Sequence, residues 1–334
     1  MVLDMPDLAT ELCQNPVDWG STGYIATIYK GAVYFWNPEK KTGFTYLDQK
    51  VKHCIKWNQA GTQLGVSLAY GSKFAILDFR QQKITAVTNF CLCNISLELK
   101  RCEMCCIEWT SSKFLITGCS RGTICLWSSH DLKMINGRKG HHSKIIKMSL
   151  SCKEKYLVTI GSDNIVMVWS YPRLEELKEF NLNITPTRAI AWHPWKESLL
   201  AIGDVKCFYI LNVQSDNVLR SSSIEGCWIH NLTFNPRSGE LLLSIFDNNE
   251  EASYLRVMRN LDTVVDDIRC NEDIIISLLW DSTGTKLGTV STDEYFCIWS
   301  FFGKSTKLEK KYLNKERKGL GHIPSVNNFC HTIR

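Results

Sequence analysis

Short apolar runs, each too brief for a helix, recur along the chain at near-regular intervals. The clearest set lies between Val17 and Asn37. It reads Val17-Asp18-Trp19, a Gly20-Ser21-Thr22-Gly23 turn, Tyr24-Ile25-Ala26-Thr27, a break at Lys30-Gly31, then Val33-Tyr34-Phe35-Trp36. β-Branched and aromatic residues fill the runs, while Gly and polar residues separate them, which predicts strands joined by turns. Three short strands cannot bury both faces of a sheet. The unit therefore needs neighbours of its own kind.

The neighbours follow in register. Trp19 recurs as Trp57, Trp109, Met148, Trp192, Phe234 and Trp280, in steps of 38, 52, 39, 44, 42 and 46 residues. Closing aromatics stand at Trp36, Trp127, Trp169 and Trp299, with weaker counterparts at Leu77-Asp78, Leu211-Asn212 and Val257-Met258. A period of about 40–45 residues with four short strands per repeat predicts an all-β fold, a seven-bladed WD-repeat β-propeller. In a ring each sheet is covered by the next, so few strand edges stay open. The predicted organisation is a lead at 1–15, with Met1 to Asp4 as a candidate strand closing the last blade. The propeller follows at 16–303, and a basic, flexible tail at 304–334 ends in Ile333-Arg334.

The fullest repeat runs from Gly140-His141 to Trp169, with Thr159 in its middle strand and Ser162-Asp163 in its turn. It predicts a buried chain of hydrogen bonds from Asp163 through His141 and Thr159 to Trp169. Such a chain is stabilising only when every member is paired. His141 and Asp163 are therefore read as core groups, not catalysts.

Composition changes this picture little. The sequence is 44% apolar and 22% charged with a net charge of +5, which is ordinary globular material with no call for nucleic acid. Met1-Val2-Leu3-Asp4 is not a secretory signal and no apolar run approaches membrane-spanning length. The 15 cysteines are then expected as reduced thiols in a cytoplasmic and nuclear protein. The densest group is Cys91, Cys93, Cys102, Cys105 and Cys106. It lacks a His, opens with Cys-x-Cys and runs into a strand, so core packing is expected rather than a metal.

Catalytic signatures are missing. No phosphate-binding Gly-rich loop, His-Glu-x-x-His or Gly-x-Ser-x-Gly occurs. The carboxylate pairs, Asp266-Asp267 and Asn248 to Glu251, are expected in polar turns. Neither an enzyme nor a cofactor-binding protein is expected.

Three separated segments carry a family resemblance. Val2-Leu3-Asp4-Met5-Pro6 followed by Asn15-Pro16-Val17-Asp18-Trp19 resembles the entry to the propeller of the fizzy family, the co-activators of the anaphase-promoting complex. Asp293-Glu294-Tyr295-Phe296-Cys297-Ile298-Trp299 resembles that family's last blade, and Ile333-Arg334 resembles its terminal tail. Blades two, five and six have drifted, as in a divergent member of the insect cortex type. The resemblance implies a substrate-recognition subunit of this ubiquitin ligase in mitotic or meiotic control, with degron-bearing substrates such as cyclins. It implies that Asp4 and Glu294 meet the Arg of a destruction box, Arg-x-x-Leu, and that Pro6, Thr27 and Trp36 line the pocket for its Leu. The family usually has Val where Thr27 stands. Ile333 and Arg334 are implied to dock on a helical-repeat subunit of the ligase. The family's second site, for Lys-Glu-Asn peptides, keeps an acid at Glu11. It has Trp228 for the usual Gln, Ile274 for the usual Arg and a shortened loop at Gly203-Asp204, so weak or no binding is expected. Met1 stands where the family's basic N-terminal docking arm would end. The chain is thus expected to be a truncated form or to dock by its tail alone, as weak activator or competitor. Two alternatives remain: a cullin-4 substrate receptor, from Leu77-Asp78-Phe79-Arg80, and a scaffold with no ligase role.

Overall fold

The computed structural model describes residues 1–5, 15–46, 50–69, 73–95, 102–111, 113–181, 189–204, 207–215, 218–223, 227–259, 263–271 and 273–301. These residues form seven four-stranded antiparallel sheets, the blades of a propeller. Blade 1 shows the logic. Val17–Trp19 pairs with Ile25–Tyr29, that strand with Ala32–Asn37, and the last with Thr42–Tyr46. The inner strand is wholly buried, whereas the outer one alternates between exposed and half-buried. Inner strands face neighbouring blades on both sides and carry continuous apolar text. Outer strands have one wet face and lose that signal.

The predicted first aromatics all fall on inner strands: Val51–Trp57, Met104–Trp109, Ile145–Leu150, Ile190–Trp192, Cys227–Phe234 and Ile275–Trp280. Trp36, Trp127, Trp169 and Trp299 all fall on third strands. The core is a series of apolar clusters, several of them between adjacent blades. One joins Ala26, Val33 and Phe35 of blade 1 to Ile55, Trp57 and Leu64 of blade 2. Phe79 packs into this cluster against Phe35 and Trp57. In Leu77-Asp78-Phe79-Arg80, then, Leu77 and Phe79 are core groups.

The last blade is completed from the far end of the chain. Val2–Asp4 pairs with Tyr295–Ser300, in the register Val2 to Cys297, Leu3 to Phe296 and Asp4 to Tyr295. The pairing extends past both ends of the strand. Ile298 N–H donates to the Met1 carbonyl at 2.7 Å, and Met5 N–H donates to the Glu294 carbonyl at 2.8 Å. Behind this seam Trp19 meets Phe296 edge to face at 6.3 Å, within a cluster that includes Val17, Ile25, Val290 and Ile298.

The polar chain of blade 4 is complete. Asp163 Oδ1 lies 3.1 Å from His141 Nδ1, His141 Nε2 lies 2.8 Å from Thr159 Oγ1, and Trp169 Nε1 donates to Thr159 Oγ1 at 3.0 Å. Burial lowers the affinity of His141 for a proton, against the pull of Asp163. Blades 3 and 7 keep the last link: Trp127 donates to Thr117 at 2.9 Å and Trp299 to Thr289 at 3.0 Å.

One expectation is corrected. Asp266 and Asp267 are not in a turn but on the outer strand Thr263–Asn271, where Asp267 pairs with Arg256 at 2.5 Å. The segment sets the apolar pair Val264-Val265 before the charged pair Asp266-Asp267, with most of its side chains exposed, so it lacks the alternation of a half-buried strand and reads as a loop.

Candidate functional site

The seam between the first and last blades encloses a cavity of about 410 Å³. Three chain segments build it. Leu3, Asp4 and Met5 come from the closing strand, and Phe296 from the strand it pairs with. Ile25, Thr27, Tyr34 and Trp36 come from blade 1. The walls are largely apolar, and Asp4 brings a carboxylate to them. Asp4 is exposed, so its charge stays hydrated and accessible.

The placement of Thr27 and Trp36 follows from the repeat. In blades 3, 4 and 7 the third-strand Trp lies opposite Leu115, Leu157 and Leu287, and its partner Thr stands two residues further on. Blade 1 keeps the same register, with Trp36 opposite Ile25 and Thr27 two residues on. Thr27 and Trp36 are therefore the blade 1 counterparts of the Thr–Trp pair. Here the pair is open. The Thr27 hydroxyl is buried without a hydrogen-bond partner, and Trp36 is half-exposed in the cavity wall. A residue pair that elsewhere closes the sheet interior lines a pocket here.

Glu294 does not line the cavity but abuts it through the hydrogen bond from Met5. It sits in the hairpin turn before Tyr295 with φ of +66°, a left-handed conformation. Equivalent hairpin turns hold Gly122 at +77° in blade 3 and Asn164 at +63° in blade 4. Those residue types enter this region at low cost, whereas Glu does so at roughly 1 kcal/mol.

Of the residues expected to read a destruction box, Asp4, Thr27 and Trp36 therefore meet at one cavity, with Glu294 adjacent. Pro6 lies outside the described residues, as do Ile333, Arg334 and Glu11. Tyr34 went unrecognised in the sequence. Its signal is the two-residue period: Tyr34 and Trp36 are half-exposed while Val33 and Phe35 are buried. Of the residues standing in for the second peptide site, Trp228 is 43% exposed and Ile274 is half-buried.

A second cavity, of about 480 Å³, is bounded by inner-strand residues of blades 1, 2, 3, 6 and 7 and is the ring's central channel. Asp18 bonds both Lys56 Nζ at 3.0 Å and Trp57 N–H at 2.7 Å there. Burial pushes the Glu108 carboxyl up to about 7 despite nearby Lys56. Lys56, already held by Asp18, and Lys147 together do not offset the loss of solvent around this half-buried carboxylate. Among the described residues no helix is long and apolar enough to cross a membrane.

Comparison with known proteins gives these features a context. No family model matches the chain. The cortex protein of Heliconius melpomene is 25% identical over 328 residues, covering 92% of this chain and 72% of its own length. An Arabidopsis thaliana protein named cell division cycle 20.5, cofactor of APC complex, is 25% identical over 340 residues, covering 94% and 70%. A chain in the crystal structure of a mitotic checkpoint complex superposes with a TM-score of 0.79 at 20% identity, covering 91% of each chain. That superposition shows the shared fold. Homologues of this chain thus include insect cortex proteins and proteins of the fizzy and cell-division-cycle group.

Proposed function

We propose that the protein is a substrate-recognition and co-activator subunit of the anaphase-promoting complex, and that its seam cavity receives the Leu of an Arg-x-x-Leu degron. The observation that carries this reading is the cavity itself. An apolar pocket opens at the blade 1–blade 7 seam, with the Asp4 carboxylate in its wall and Glu294 beside it. That pairing suits a short peptide with one cation and one aliphatic side chain. Burying a Leu contributes about 1.5–3 kcal/mol, and an ion pair from Arg to an exposed carboxylate such as Asp4 contributes up to about 1 kcal/mol. Recognition here needs no reaction at the site. The propeller holds a substrate near the ligase and so raises its effective concentration.

Ligase docking falls to Ile333-Arg334. An apolar side chain, a guanidinium and a terminal carboxylate at a chain end form a compact three-point ligand for a helical-repeat groove. Substrates are mitotic or meiotic proteins such as cyclins, met in the cytoplasm and nucleus.

The test is a fluorescence-anisotropy titration with an Arg-x-x-Leu peptide. Asp4→Ala combined with Glu294→Ala is expected to weaken binding by about tenfold or more, about 1.4 kcal/mol. Unchanged affinity removes the site. A pull-down with Ile333-Arg334 deleted is expected to lose the anaphase-promoting complex. Recovery of the cullin-4 adaptor instead would move the protein to the other ligase.

A further inference from the structure

The step from Trp57 to Trp109 is the longest between repeats, 52 residues against 38–46 elsewhere. Its connection between the outer strand of blade 2, Lys83–Thr88, and the inner strand of blade 3, Met104–Trp109, carries Cys91, Cys93 and Cys102. The fold brings these three to Cys119, at the end of the second strand of blade 3, Phe114–Cys119. The four sulfurs all lie within 4.8 Å of one another. Cys91 and Cys93 are 3.3 Å apart, and Cys93 and Cys119 are 4.0 Å apart.

Sulfurs around a tetrahedral ion, with metal–sulfur bonds of about 2.3 Å, stand about 3.8 Å from each other. The observed separations bracket that distance. Packing alone does not require four cysteines from three chain segments to converge pairwise. Two cysteines of the same dense stretch do not join them: Cys106 reaches the Ile146 carbonyl at 3.1 Å and Cys105 the Glu103 carbonyl at 3.3 Å. The surroundings suit an anionic sulfur. Arg121 N–H donates to Cys119 Sγ at 3.4 Å, a contact of the kind that supports metal-bound thiolates. Cys91, Cys102 and Cys119 are buried, while half-exposed Cys93 leaves a way in.

We propose that Cys91, Cys93, Cys102 and Cys119 bind a structural Zn²⁺ that fastens the blade 2–blade 3 connection to blade 3. Four thiolates close the tetrahedron and leave no open position, which is the pattern of a structural rather than a catalytic zinc. Binding free energy at such a site is folding free energy.

The test uses the full chain, produced in zinc-supplemented medium and purified with a non-chelating reductant. Elemental analysis is expected to find stoichiometric zinc in the wild type and in Cys152→Ser, an exposed cysteine elsewhere. Zinc is expected to be lost in Cys93→Ser and Cys119→Ser. Cobalt added to the demetallated wild type should give the thiolate charge-transfer and intense d–d absorption of a tetrahedral sulfur site. This measurement stands even if Cys119→Ser does not fold. A wild type that takes up no metal, an iron centre in place of zinc, zinc retained in both variants, or a disulfide within the four by intact mass would each overturn the assignment.

Discussion

Thr27→Val and Thr159→Val are the same chemical change at equivalent positions of two blades, and the structure gives them opposite signs. The Thr159 hydroxyl accepts from Trp169 at 3.0 Å and meets His141 at 2.8 Å. Replacing it with a methyl group leaves two buried ring nitrogens without partners, at about 1–3 kcal/mol each. The expected cost is about 2–5 kcal/mol. Thr117→Val and Thr289→Val each orphan one indole N–H and are expected to cost about half as much. Thr27 is 8% exposed and its hydroxyl has no partner. Its replacement removes an uncompensated buried polar group, so Thr27→Val is expected to stabilise by about 1–2 kcal/mol. With unfolding entropy near 2.1 cal/mol/K per residue, 1 kcal/mol moves the Tm of the roughly 260 described residues by roughly 2 °C. Urea denaturation with matched m-values resolves such differences better than heating. The same variant makes the cavity wall wholly apolar at that point, and a Leu-bearing peptide should bind about fivefold tighter, about 1 kcal/mol. If Thr27→Val lowers the urea midpoint as the other three do, its hydroxyl is satisfied in solution. The open-pair account of the pocket then fails.

Other expectations follow from single contacts. Glu294→Gly relieves a left-handed backbone and removes a carboxylate. It should raise the urea midpoint slightly, by up to about 1 kcal/mol, while weakening an Arg-x-x-Leu peptide; a variant that binds at full strength would exclude Glu294 from recognition. The Glu108 carboxyl is raised to about 7 in the fold from an ordinary 4.5. Its contribution is present below the unfolded value and lost as pH rises through the folded one. Buried histidines such as His141 act in the opposite direction over the same range, so the effect is read as a difference between two proteins: the urea midpoint of Glu108→Gln should gain on that of the wild type between about pH 5 and pH 8, and parallel curves would refute the assignment. A Lys-Glu-Asn peptide, facing Trp228 and Ile274 in place of amide and guanidinium, should show no micromolar binding; a Glu11-dependent micromolar isotherm would contradict this.

The repeat was legible because inner and third strands are largely buried and most keep an aromatic or large apolar residue at the same place whatever else drifts. Met148 and Phe234 hold the place of Trp without changing the strand. Outer strands lack that constraint, which is why Asp266 and Asp267 read as a loop. Most of the residues named at the seam came from a resemblance, and Asp4, Thr27 and Trp36 lie together at one cavity. Periodicity alone would have added Tyr34. The sulfur cluster was misgrouped for a topological reason. Chain proximity put Cys105 and Cys106 with Cys102, whereas the strand pairing of blade 3 supplies Cys119, and no spacing rule anticipates a ligand donated across a hairpin.

The pairing of Asp4 with Tyr295 has a consequence for how the ring shuts. Nearly the whole of the described sequence lies between these two residues, so the last blade is completed by one of the most distant contacts in the fold, a step that carries a large loop-closure cost. Substitutions that weaken this one pairing should loosen the seam cavity while leaving six blades standing.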